Sequence, residues 1–307
     1  MRRAVRETVA PASKEETMQS NNPVFRRSEE FNRPGANAYG NQTYAGNGTA
    51  YPGYGQQGYT DPSTWGTGTP GAPTTTSAPM TVDSVVQKTA FALGTVIVFA
   101  LATWIMTPAI DTTTTAEDLG GLYAAVTIGA LGAFVLSMVN SFKRVISPAL
   151  VLAFCALEGI ALGGISKVFD AQFGDSVVSG AVIGTFAAFA GTLAAYKVFD
   201  IKVGNKFRMM VMAAVFGMVG LSLMELVLGM FGAQLGLFGF GGLGLLTAIA
   251  GLVLGVFMLV LDFDFVEQGV ANRIPERESW RAAFAMTVSL VWIYTNLLRL
   301  LAIFSQD

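Results

Sequence analysis

The chain has 307 residues, of which 52% are hydrophobic and only 13% charged, with a mean hydropathy of +0.51 and a formal net charge of -2. A soluble domain carries about 25% charged residues, so the shortage points to lipid as the solvent, and the charge balance argues against a nucleic-acid partner. With no histidine and a single cysteine, Cys155, the sequence excludes His-dependent triads, His metal sites and any disulfide within the chain.

Residues 1–80 are a different material from the rest. The opening MRRAVRETVAPASKEET is charged and has no apolar stretch long enough for a signal peptide, and Met18 offers an alternative start. From Arg33 to Pro79 the chain is Gly, Tyr, Asn, Gln, Thr and Pro. Such a composition buries too little apolar area to offset its ordering entropy, so residues 1–80 read as a disordered, low-complexity tail. Its tyrosines leave weak self-association open beside the plainer reading of a flexible tether.

Residues 81–307 read as an all-α integral membrane domain. A bilayer needs roughly 20 apolar residues per helix, and seven runs meet that requirement: 88–110, 119–140, 145–166, 176–196, 207–230, 241–263 and 280–304. Their interiors are rich in Gly, Ala and Ser, which lets helices approach closely, and Gly251 with Gly255 forms a GxxxG. GFGGLG, residues 239–244, formally matches a dinucleotide fingerprint. It follows no strand and opens a membrane helix, so that reading is rejected.

Lys and Arg in the loops set the expected orientation. One set of loops holds Lys143, Arg144, Lys197, Lys202, Lys206, Arg208, Arg273, Arg277 and Arg281. The opposite set holds only Lys167, beside Asp111, Glu117, Asp118, Asp170 and Asp175. The expectation is a multi-pass protein of the cell membrane with a cytoplasmic N-terminus and an extracytoplasmic C-terminus. The acidic outer face would raise the local cation concentration.

Three charges lie well inside the spans, and ionisable groups there read as functional by default. From the inner end, Glu158 is expected about 20 Å along its helix, Glu225 about 27 Å and Arg299 about 28 Å. Arg299 has two readings: it pairs with Glu225 or Glu158, or it snorkels to the outer interface. Asp262 and Asp264 stand at the cytoplasmic end of the sixth run. Two residues apart on a helix, they face about 160° apart, so one is expected to point inward. Asp262, the deeper, is assigned that role, and Asp264 reads as an interfacial carboxylate.

Residues 83–307 resemble the Bax-inhibitor family, the transmembrane BAX inhibitor motif proteins. The resemblance rests on LEGIALGGI in the third helix, LDFDFVEQGV at the end of the sixth and NLLRLL in the seventh. The opening SNNPVFRR and the Gly/Tyr-rich tail resemble a bacterial branch of it. The resemblance implies a seven-helix bundle with helix seven central, and a pH-sensitive calcium leak gated by two aspartates that share a proton. The family's helix-six aspartate matches Asp262, although Leu261 replaces the preceding aromatic. Its helix-seven aspartate would fall seven residues before Asn296, where this chain has Ser289. The shared-proton pair is therefore missing. The basic latch residue of the family matches Lys143 or Arg144 only approximately.

The leading functional expectation is a cation leak or channel-like protein, with Ca²⁺ as the transported ion and no cofactor. Asp262, Asp264, Ser289 and Asn296 are its candidate pathway residues, and Asp262 is also a candidate metal ligand. The alternative is a non-transporting regulator that binds other membrane proteins or proteases through the tail. Proteolysis by the chain itself is disfavoured: it has no histidine, and Gly174-Asp175 lacks the extra glycine of the aspartyl-protease signature.

Overall fold

The computed structural model describes residues 78–306 except 112 and 116. The tail expected over residues 1–80 therefore lies outside the described residues up to position 77. Seven helices are each long and apolar enough to cross a membrane. They are α1 (Val82–Met106), α2 (Gly120–Phe142), α3 (Pro148–Phe173), α4 (Asp175–Val198), α5 (Asn205–Met230), α6 (Gly242–Ala271) and α7 (Ser279–Phe304). Among the described residues the only β pairing is an isolated bridge between Pro79 and Pro275.

Several helices outrun the apolar stretches from which they were read. α1 starts earlier because Thr81 and Ser84 form a reciprocal capping box, each side chain accepting the other's amide. The sixth helix continues past residue 263 to Ala271, and the segment Val260–Val266 is buried throughout. It ends where Arg273 takes a positive φ of 52° ahead of Pro275. Gly174, at φ 91°, makes the one-residue break between α3 and α4.

α7 is the hub: α1, α3, α4 and α6 all pack against it. α2 attaches from outside through α3, and α5 through α6. The periphery shows in the burial pattern, since α5 buries only Val211 whereas α7 buries residues along its whole length. Phe216, Leu223, Leu226 and Val227 of α5 face outward, as a lipid-facing helix should.

Glycine seams hold the helices close. A Cβ on Gly159 or Gly163 of α3 would run into the backbone of α1 at Val96 or Ala100. On α6, a Cβ at Gly251 would overlap the Asn296 amide, and one at Gly255 would stand 2.6 Å from Ile293 Cγ1. LEGIALGGI is thus an α1–α3 packing surface, and the GxxxG of α6 is the seam to α7.

Residues 78–80 are tied into the bundle. Met80 N–H donates to the Ile274 carbonyl (2.7 Å), and Glu276 N–H donates to the Ala78 carbonyl (2.8 Å). Met80 is fully buried, and Lys88 of α1 pairs with Glu276 at 2.8 Å. The start of α1 and the α6–α7 turn therefore form one end of the molecule together.

Candidate functional site

α6 supplies two carboxylates within three residues, and the bundle buries both: Asp262 is 3% exposed and Asp264 7%. The interfacial reading of Asp264 is therefore corrected. The two do point to different sides of α6, but α6 is covered on both, by α7 at Asp262 and by α5 at Asp264.

Asp262 faces α7, where the Ser289 hydroxyl donates to Asp262 Oδ2 at 2.6 Å. Ser289 is 1% exposed, so this hydrogen bond is sealed inside the α6–α7 seam. Asp264 faces α5 and makes a close ion pair with Arg208, while Gln268 donates to the same oxygen at 2.8 Å. A guanidinium neutralises one carboxylate and a neutral hydroxyl serves the other. The two acids of this site are thus in unequal electrostatic settings.

Asn296 does not join them. It lies two turns further along α7, about 10 Å from Ser289, and its amide donates to the Trp292 carbonyl at 2.8 Å while packing onto Gly251. Trp292 Nε1 donates to the Gly251 carbonyl at 2.8 Å. Of the four candidate pathway residues, only Asp262 and Ser289 share a contact. Among the described residues, no group of three or more His, Cys, Asp or Glu side chains is placed to hold a metal ion.

The charges near the other end form no direct pair. Arg299 donates to the carbonyls of Leu237 (3.2 Å) and Gly244 (3.3 Å) and to Thr247 Oγ1 (3.2 Å), with the Phe238 ring 5.0 Å from its guanidinium carbon. Glu225 accepts the Gly236 amide at 2.9 Å. The α5–α6 loop thus stands between them, its adjacent residues Gly236 and Leu237 held by opposite charges. This corrects the pairing reading: loop peptide groups reach each charge first. Glu158 has no hydrogen-bond or ion-pair partner among the described residues.

Lys143 and Arg144, the expected latch residues, follow directly on the end of α2. The cation paired with Asp264 is Arg208, from the start of α5. The Arg144 carbonyl accepts from the Arg281 guanidinium at 2.9 Å. Arg281 itself is fully buried and donates from Nε to Glu278 at 2.7 Å, with Glu278 equally buried. Lys167 is 8% exposed and closes the end of α1, donating to the carbonyls of Trp104 (2.7 Å) and Thr107 (2.6 Å). Counting charges for orientation groups Arg208, Arg281 and Lys167 with the loops and assigns them no partner. A basic residue at a helix end, within reach of unpaired carbonyls or carboxylates, is the signal that could have found them.

Outside the spans, the acidic loop before α2 keeps its charge. The Thr113 hydroxyl, 2.6 Å from Asp111 Oδ1, holds that carboxyl below its ordinary value. The Thr115 amide, 2.9 Å from Asp118 Oδ2, lowers Asp118 in the same way.

A profile of the family described as Bax inhibitor 1 like matches residues 22–306. No curated protein matches the chain.

Proposed function

The chain belongs to the Bax inhibitor 1 like family, and from that premise we propose that it is a cation leak of the membrane, with Ca²⁺ as the ion carried. The observation that supports this reading most is the buried Asp262–Ser289 contact at the α6–α7 seam. A membrane helix tolerates a carboxylate at such a place chiefly where it serves ions or protons. Asp264, two residues nearer the α6–α7 loop, would line the cytoplasmic mouth, and Arg208 is the cation that occupies it at rest. A metal ion approaching Asp264 would have to displace that guanidinium.

The orientation belongs to the same proposal. The end that carries Lys143, Arg144, Lys197, Lys202, Lys206, Arg273 and Arg277 faces the cytoplasm, and the end of α7 at Phe304 faces outside. The acidic turns at Asp111 and Asp118 then face the side from which cations would enter.

The test is flux into proteoliposomes, comparing Ca²⁺ with K⁺ at two pH values. Wild type is expected to pass Ca²⁺, Asp262→Asn to pass little, and Arg208→Gln to pass more than wild type. No Ca²⁺ flux above protein-free vesicles would sink the proposal and favour a regulator that binds other membrane proteins.

A further inference from the structure

Glu158 is the acid that this mechanism leaves unused. It sits within α3, a membrane-spanning helix, with ten residues before it and fifteen after it. Its neighbours in sequence are committed elsewhere. A Cβ on Gly129 of α2 would meet the Leu157 carbonyl at 2.8 Å, and Gly159 lies against Val96 of α1.

The side chains one turn away on the same face show where Glu158 points. Phe154 makes an edge-on contact with Phe284 of α7, with ring centroids 5.0 Å apart. On the other side, Leu162 lines a groove with Leu290, Val291 and Tyr294 of α7. Residues four apart lie on one side of a helix, so Glu158 falls between these contacts and faces the α7 segment that carries Val288 and Val291.

Among the described residues no charge meets it there. α2 has no charged residue within its span, and the charges of α1 are at its start, Asp83 and Lys88. α4 carries Asp175 and Lys197 at its two ends. On α7, Arg281 is held by Glu278, Arg299 by the α5–α6 loop, and the Tyr294 hydroxyl by Ser166 at 2.6 Å. On α3 itself, Lys167 is spent on α1, Asp170 stands three turns away, and Cys155 is an uncharged thiol in the apolar core. Glu158 is nevertheless only half-buried, so it stays reachable.

A carboxylate in hydrocarbon without a protein partner needs its charge met from outside the protein. We propose that Glu158 is an exchangeable-cation site on the α3 side of α7, separate from Asp262 and occupied by a proton or by a small metal cation in its place. The site does not depend on transport, so it stands or falls apart from the leak.

The probe is N,N′-dicyclohexylcarbodiimide, a membrane-soluble reagent that attacks carboxylic acids in their protonated form. The Glu158 oxygen bonds to the carbodiimide carbon and the acid proton moves to a nitrogen. The O-acylisourea so formed rearranges by acyl shift to a stable N-acylurea that retains the whole reagent, with no leaving group. Full-length protein in vesicles is labelled across a pH series, with and without added Na⁺, K⁺ or Ca²⁺, and the adduct is located by peptide mass spectrometry.

Labelling at Glu158 is expected, falling about tenfold or more between mildly acid and alkaline buffer as the proton leaves. Protection by one of the salts at fixed pH would identify a metal cation as the competing occupant. Loss of labelling with pH alone would identify the proton as the occupant. Glu158→Gln should remove this adduct, and the wild-type series stands without it if the variant does not fold. Absence of an adduct at Glu158 in folded protein, or labelling that ignores both pH and salt, overturns the proposal.

Discussion

Arg281 and Glu278 illustrate how much a single charge can depend on its neighbour. Both are fully buried, so removing one takes a charge-assisted contact from the other in a dry site. Arg281→Leu is expected to cost about 3–5 kcal/mol, and combining it with Glu278→Leu should restore part of that loss. Thermal unfolding of the two single variants and the double variant checks the coupling; additive losses would rule it out. Asp111 and Asp118 offer a case with a pH sign. Hydrogen bonds from Thr113 and Thr115 lower both carboxyls below the ordinary 3.8. A folded value below the unfolded one means these turns add stability above the unfolded value, and lose it as pH falls through the lowered one. Carboxyl titration by NMR should find both midpoints below 3.8. Thr113→Ala should move that of Asp111 back upward.

The glycine seams differ in what stands opposite them, and that difference ranks their substitutions. Gly163 faces the backbone of Ala100, which can yield only if α1 moves. Gly251 faces the amide of Asn296, the end of a side chain that can rotate away. Gly163→Ala should therefore destabilise more than Gly251→Ala, within the roughly 1–3 kcal/mol usual for overpacking. Equal losses would mean that α1 is not rigidly seated on α3. The same two helices meet at Lys167, whose ammonium takes three oxygens at the end of α1, including Thr107 Oγ1 at 3.0 Å. Lys167→Met keeps the apolar stem and removes the donors. It should cost about 1.5–3 kcal/mol and loosen the last turn of α1, read as faster amide exchange at Thr103 and Thr107.

Across the molecule, attachment is uneven. α7 packs against four helices, whereas α5 packs chiefly against α6 and is fastened near its two ends, by Arg208 to Asp264 and by Glu225 to Gly236. Few buried contacts mean low local stability. Amide exchange in detergent should be faster along α5 than along α7, and Arg208→Gln should speed the first turns of α5 without affecting α7. Uniform protection across both helices would show that α5 is held by more than its ends.

Seven spans, an apolar exterior and acids inside the spans can be read from the chain, because hydropathy and helix length are local and additive. Helical spacing also puts Gly251 and Gly255 on one seam, and the seven-residue offset from Asn296 marks Ser289 as the place where a second aspartate would stand. The partners of the charges are not legible in this way. Arg208, Arg281 and Lys167 count as loop residues in sequence, yet folding carries each into contact with a carboxylate or a helix end. Arg299 and Glu225 were expected at one depth, and the glycine-rich loop passes between them because its peptide groups lie nearer to each charge. Asp264 lies on the side of α6 away from Asp262, and whether that side is wet or dry rests on where α5 docks. Periodicity assigns a residue to a face; only the packed bundle decides what covers that face, because the contacts come from helices distant in the chain.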